Sequence, residues 1–518
     1  MAQPFGDPDG SRGPIGEHEA NFITLPRAFG GIARPVNEAT RARVIAGSQG
    51  AGKTLYLRRL QHHLKEDDSL YVDSPGLTAR DLTTEIVVRI SQLYPKIANP
   101  DTWRTVWDRS ILVSATTHLL SDAEHHGSSD SETLQSLRVG LASILPEARG
   151  KRSIIEAAAQ ICHSSRTRRQ FDEFLHRDLW SDLRTDFHDV ARNSRPIYLF
   201  VDAIDDNFRF APAYWLVCQK GLFDAVMDTQ RTDVEDSKLH VVISIRDLVL
   251  SSIRKGEHAN RYMNQDYIVS LDWGWKSARE FLHQKLIRLS PQYFTDPGER
   301  SLKSMFGRNV IQNVARKIEE PIDQYVLRHT RQNARDVIIM GNALTTLSSR
   351  SSGTAVDDSR FRRTISDISA TQARDALAQV ANQVLTNVMP WNASHYNFTE
   401  PYLTAEEYRV EVLTRELVSV LSHAESEYIS RDQLNDLDAE AEHRFGVEAE
   451  FSNALWQNRL IGYKSGPHYR FYSGGQDSET MIEHNADSYV LNPILLDLVP
   501  AISSREGHVD FPGANHDD

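Results

Sequence analysis

Five short stretches are apolar on successive positions: Arg43 to Gly47, Ser69 to Asp73, Ile197 to Val201, Leu239 to Ile245 and Tyr267 to Leu271. Runs without alternation read as strands covered on both faces, the pattern of a parallel sheet. Parallel neighbours need long crossovers, so helices are expected between them. Apolar residues at helical spacing follow: Leu55, Leu57, Leu60 and Leu64 after the first strand, then Ile86, Val87, Ile90 and Leu93, and Trp103, Val106, Trp107 and Ile111. The stretch from about 78 to 194 is thus a helical insertion between the second and third strands. From Ser277 to about Met389 the pattern is again helical, with loops at Pro291, Asp296 to Gly298 and Thr345 to Thr354, and Pro390 to Pro401 is a polar, aromatic linker. The last region has a capping box, Ser430-Arg431-Asp432-Gln433, opening one helix, then a second helix from Ala449 to Leu460. Alternation over Ile461 to Lys464 and Tyr469 to Tyr472 predicts a hairpin, and Tyr489 to Leu491 a further strand. Helix, helix, hairpin in that order predicts a winged helix. The expected domains are a disordered Gly-, Pro- and Asp-rich arm over 1–19, an α/β core over 20–274 with its insertion, a helical lid and linker over 275–400, a winged helix over 401–503 and a tail over 504–518.

Composition narrows the compartment and the partners. The chain has 518 residues, 40% apolar and 25% charged, with a net charge of −13, which argues against nonspecific nucleic-acid or membrane binding by the whole surface. The region after Glu400 carries most of the imbalance, with eight Lys and Arg against 22 Asp and Glu. Duplex DNA is therefore disfavoured there, with a local basic edge at Arg459, Lys464 and Arg470 as the remaining route. Cys162 and Cys218 are the only cysteines, too few for a disulfide framework, and point to a reducing cytoplasm. No apolar run approaches the ~20 residues that span a bilayer, and Met1 to Gly10 lacks the features of a signal peptide.

The first strand runs into Gly47-Ser48-Gln49-Gly50-Ala51-Gly52-Lys53-Thr54 and then into the Leu55 to Leu64 helix. Strand, G-x-x-x-x-G-K-T and helix form a P-loop, in which glycines let backbone N–H groups wrap a phosphate at a helix N-terminus. Lys53 is then the point charge on the β- and γ-phosphates of a nucleotide, and the Thr54 hydroxyl a ligand of Mg²⁺. The third strand delivers Asp202, Asp205 and Asp206 at its end, the edge where parallel sheets bind ligands. Asp202 is the natural Walker B acid. Ser244 and Arg246, at the end of the fourth strand, are candidates to face the γ-phosphate.

Together these segments resemble the STAND and AAA+ type P-loop ATPases, closest to the bacterial group related to origin-recognition-type initiators and to ATPases of phage-defence systems. The resemblance implies an ASCE-type parallel-sheet P-loop NTPase core with a helical lid and a winged helix, working with ATP and Mg²⁺. It places Mg²⁺ on Asp202, the polarisation of the attacking water on Asp205 or Asp206, a γ-phosphate sensor at Arg246 and a lid sensor at Arg335. Arg254 or Arg261 would be an arginine finger acting across subunits. Many relatives carry a catalytic Glu directly after the Walker B Asp; here that residue is Ala203, which implies slow hydrolysis. Three readings stay open: a signalling ATPase that closes its lid on ATP and presents itself to a protein effector or to a second copy, a DNA-binding initiator or regulator, and a nucleotide-dependent scaffold for a separate effector.

Overall fold

The computed structural model describes residues 3–10, 43–73, 99–125, 132–146, 150–165, 167–202, 212–230, 238–254, 268–296, 298–349, 356–388, 400–446, 449–466, 468–472 and 481–502. The apolar positions at 86–93, Asp205, Asp206 and Arg261 lie outside them.

Strands β1 (Val44–Gly47), β2 (Tyr71–Val72), β3 (Ile197–Val201), β4 (Leu239–Arg246) and β5 (Ile268–Leu271) form one parallel sheet in the order β2-β3-β4-β1-β5. Continuous apolar runs become strands covered on both faces because neighbouring side chains point to opposite layers. Val44, Ala46, Leu199, Val201, Val241, Ile243 and Ile245 enter one core, whereas Ile45, Tyr198, Phe200 and Val242 enter the other.

Helix α1 (Lys53–Leu64) follows β1. Between β2 and β3 lies the insertion, with α2 (Pro100–His125), α3 (Glu132–Ile144), α4 (Ile154–His163), α5 (Arg168–Leu175) and α6 (Leu179–Ala191). It covers the first face of the sheet with Trp103, Trp107, Phe171, Trp180 and Phe187. Ser153 and Glu156 form a capping box at the start of α4, a signal of the type recognised at Ser430. Helices α7 (Pro212–Thr229) and α8 (Asp247–Arg254) complete the crossovers, and α7 packs on α2.

The second face is covered by α1 and by α9 (Trp275–Arg288), α10 (Leu302–Phe306), α11 (Ile322–Arg328) and α12 (Ala334–Ser349). The helical reading of this region misses a hairpin, β6 (Val310–Asn313) with β7 (Ile318–Pro321). The expected arm over 1–19 is also corrected for residues 3–10, where Phe5 is 1% exposed and belongs to this core. A composition rich in Gly and Pro does not report that one aromatic has found a notch.

Helix α13 (Asp358–Val388) is 31 residues long and serves two cores. Phe361 and Ile365 pack with α9 to α12, whereas Ala373 through Val384 pack with the C-terminal unit. That unit contains α14 (Glu400–Leu421), β8 (Tyr428–Ser430), α15 (Arg431–Phe445), α16 (Phe451–Gln457), β9 (Ile461–Ser465), β10 (His468–Phe471) and β11 (Ser488–Leu491). The capping box at Ser430 and Gln433 is formed, with Ser430 N–H donating to Gln433 Oε1 at 2.8 Å. Its antiparallel sheet has the order β10-β9-β11-β8, so β11 sits between the hairpin and β8. Helix α16 is shorter than expected, since Glu450 at its start (φ 47°) and Arg459 just past its end (φ 61°) adopt left-handed backbone conformations. Among the described residues no helix is long and apolar enough to cross a membrane.

Where the insertion meets β2, the Nδ1 of buried His118 is 2.8 Å from the Tyr71 hydroxyl and its Nε2 is 3.5 Å from Asp73 Oδ1. Burial, and then the nearby Lys151 ammonium, lower the His118 pKa from 6.5 to about 4. The ring is therefore neutral at physiological pH, and its contact with Asp73 is not an ion pair there. The unfolded chain takes up this proton first, so the stabilising contribution is complete above pH 6.5 and is lost as pH falls towards about 4. Urea unfolding at about pH 7 and about pH 5 should show a drop in stability that His118→Gln reduces; equal drops in parent and variant would exclude His118 as its source.

Candidate functional site

The turn between β1 and α1 needs two left-handed residues, and glycines supply them at Gly50 (φ 82°) and Gly52 (φ 95°). Gly52 is the N-cap of α1, so the amides of the first turn open at the carboxyl edge of the sheet. Ala51 N–H donates to Ser48 O at 3.2 Å, and the Trp273 indole N–H fixes Ala51 O at 2.9 Å. The Lys53 ammonium folds back onto the loop, 2.9 Å from Gly47 O and 3.1 Å from Ser48 O. Thr54 is half-buried in the first turn of α1. Left-handed glycines, helix amides, an ammonium and a hydroxyl are the donor set of an anion cradle.

Asp202 directly follows β3 and is buried. The register pairs Val201 with Ile243, which brings the next residues, Asp202 and Ser244, side by side. The Ser244 hydroxyl donates to Asp202 Oδ1. Ser244, a candidate to face a phosphate, here hydrogen-bonds the acid.

The fourth strand contributes more than its sequence suggested. Asp247, immediately after Arg246, is buried (4% exposed), and its Oδ1 accepts the Leu248 N–H at 3.0 Å. Burial raises the pKa of its carboxyl, and Lys53, Arg459 and Arg246 pull it back down. Asp272 follows β5 in the same way. The buried Arg459 of the C-terminal unit feels both acids, Asp272 more strongly than Asp247, and these oppose the lowering of its pKa by burial. Since β1 lies between β4 and β5, the two acids flank the strand that carries the P-loop. Arg459 Nη1 also donates to Arg331 O and Gln332 O at 3.3 and 3.4 Å.

Above the loop, Ser48, Gln49, Arg246, Asp247, Arg331 and Arg459 border a cavity of about 20 Å³, room for a single water. Arg331 is held by Asp336 through Nε at 2.9 Å and Nη2 at 3.1 Å. The backbone N–H of Arg335 donates to Gly50 O at 3.1 Å, but its side chain turns away, with Nε 3.3 Å from Pro8 O. Of the expected basic edge at the end of the chain, Lys464 and Arg470 are exposed and Arg459 is turned inward. Arg254 is half-buried at the end of α8. One signal could have found Arg459 earlier: it is the only basic residue of the presumed recognition helix in a strongly acidic segment.

No protein-family model matches the chain, and no match was found among the curated proteins. The site is read from its geometry.

A buried guanidinium among carboxylates is expensive to remove, because the acids keep their charge and lose its counterion. Arg459→Ala should lower stability by roughly 3–5 kcal/mol, seen as a fall in the thermal unfolding midpoint. An unchanged midpoint would mean that Arg459 does not tie the C-terminal unit to the sheet.

Proposed function

We propose that the chain is an ATP-dependent molecular switch of the STAND and AAA+ type, which binds ATP with Mg²⁺ and hydrolyses it slowly. The observation that carries this reading is the cover over the phosphate cradle. Arg331 from the helical lid and Arg459 from the C-terminal unit meet Arg246 above the P-loop in a space of about 20 Å³. That space is too small for a triphosphate, so a nucleotide held there would displace the side chains that line it, and their cations are those a phosphate would attract. Binding energy at the cradle is thereby coupled to the position of two other units.

The residues fit the proposed ligands. Loop amides from Ser48 to Thr54 and the Lys53 ammonium would hold the phosphates, after Lys53 exchanges the carbonyls of Gly47 and Ser48 for phosphate oxygens. Thr54 and Asp202 would hold Mg²⁺, with Ser244 orienting Asp202 as an outer-shell partner does. Strand order supports the ASCE assignment, since β4 separates the strand bearing the P-loop from the strand bearing Asp202. Bound Mg²⁺ would neutralise phosphate charge during phosphoryl transfer to water. Asp205 or Asp206 is assigned the polarisation of that water from the sequence alone, and Ala203 is the reason for slow turnover.

The C-terminal unit is read as a winged helix with an extra strand, and its surface favours a protein partner or a second copy over duplex DNA. In α16, the helix expected to read a groove, Phe451, Ser452, Asn453, Ala454, Leu455 and Trp456 are all buried. Its end is tied to α13, where Asn458 Nδ2 donates to Gln383 Oε1 at 3.0 Å. With 22 acids in the segment, counterion release offers DNA little affinity.

Lys53→Ala should abolish ATP binding, measured by calorimetry with Mg²⁺, with little change in the unfolding midpoint, since Lys53 is outside the core; undiminished affinity removes the P-loop assignment. Ser244→Ala should weaken Mg²⁺-dependent ATP binding by about 10- to 100-fold and leave Mg²⁺-free binding unchanged. An equal loss with and without the metal would place Ser244 on the phosphates instead of on Asp202.

A further inference from the structure

Residues 3–10 touch both helices that frame the P-loop. The Phe5 ring is pressed on Gly341 in the middle of α12, where a Cβ would lie 2.2 Å from the ring. The next residue, Asn342, grips the adjoining backbone twice: Oδ1 accepts Phe5 N–H at 2.9 Å and Nδ2 donates to Gly6 O at 2.9 Å. Gly6 (φ 106°) turns the segment, closed by Gly6 N–H to Gln3 O at 2.8 Å. It then runs to the start of α12, where Arg335 Nε reaches Pro8 O, and crosses to α1. There Arg58 Nη1 donates to Gly10 O at 2.7 Å, and Gly10 lies on Leu55, the residue after Thr54.

The segment does more than fill a groove. Between α12 and α13, bordered by Gln3 and Pro8, a cavity of about 430 Å³ is left open, whereas the specific contacts gather on Gly341, Asn342, Arg335 and Arg58. These link the lid helix to the P-loop helix. The same lid helix touches the loop directly through Arg335 N–H on Gly50 O, and a Cβ on Gly50 would be 2.9 Å from the Arg335 Cβ. Anything that lifts α12 from Gly50 must also stretch the segment or release one of its ends.

We propose that residues 3–10 are a strap that clasps the lid helix α12 to the P-loop helix α1, with Phe5 in the Gly341 notch as its buckle. Withdrawal of Phe5 frees α12 to lift from Gly50. The clasp itself is independent of any ligand, and its consequence for nucleotide exchange rests on the ATP-switch reading.

Hydrogen exchange of the full-length protein, read on peptides covering α12 and α1, tests the clasp. Phe5→Ala should speed exchange in both helices by roughly tenfold through more frequent local opening. Gly341→Ala gives a test of sign. Alanine within a helix favours the helix, so without a strap this change slows exchange in α12 or leaves it unaltered, whereas with the strap its methyl expels Phe5 and exchange rises. In the Phe5→Ala background the sign should revert, because no ring remains to expel. Slower or unchanged exchange in Gly341→Ala alone overturns the proposal, as does a response to Phe5→Ala confined to residues 3–10. Release of a fluorescent ATP analogue should quicken in both single variants. A parent protein that binds no ATP overturns the nucleotide reading, and the strap is then judged on the exchange rates alone.

Discussion

A buried guanidinium is tolerated only where carboxylates and carbonyls replace its water, and Arg459 finds both at one place in this molecule. Asp247 and Asp272 end the strands on either side of β1, so they flank the P-loop because of the strand order and for no local reason. Arg459 Nη1 is shared between Arg331 O and Gln332 O; the left-handed backbone of Gln332 (φ 58°) belongs to this turn. One side chain thus joins the sheet, the lid and the C-terminal unit. It also borders the cavity above the loop.

The other contacts of the C-terminal unit repeat this theme away from the loop. Arg316, in the turn between β6 and β7, is paired with Glu427 at 2.5 Å, and the two are 1% and 0% exposed. His329 Nδ1 lies 2.9 Å from Asp497 Oδ2, and the Ser366 hydroxyl donates to Asp497 Oδ1 at 2.5 Å. Here the carboxyl of Asp497 is held below the usual range by His329 and Ser366 in spite of its burial. Helix α13 adds a mechanical link, since its first half is lid core and its second half C-terminal core. This helix is common to both cores. The strap holds the middle and the start of α12, through Gly341, Asn342 and Arg335.

Much of the local structure was legible in the residues. The strands were visible because burial on both faces demands near-continuous apolar runs, and Ser430 with Gln433 marked a helix start because a capping box is read over four residues. Gly50 and Gly52 carried their own warrant, as only glycine takes those left-handed angles without strain. The hairpin at 310–321 escaped notice because Arg316 and Glu320, buried in ion pairs with Glu427 and Arg328, look like solvent-facing residues until their partners are known. Arg331 carried no signal in the sequence beside Arg335: both sit near the start of α12, and only packing decides which side chain borders the cavity above the loop.

By itself, then, the sequence determined which segments become most of the strands and helices, where the glycine turn between β1 and α1 forms and that Asp202 stands at a strand end. Those properties depend on residues within a few positions of one another. Tertiary structure decided the order β2-β3-β4-β1-β5, the pairing of Ser244 with Asp202, the descent of Arg459 between two acids and the burial of Phe5. Hydrophobic periodicity tells a segment which face to hide but not against what, and a charge or a lone aromatic is buried only if a partner hundreds of residues away completes its surroundings, as Asp247 does for Arg459 and Gly341 for Phe5.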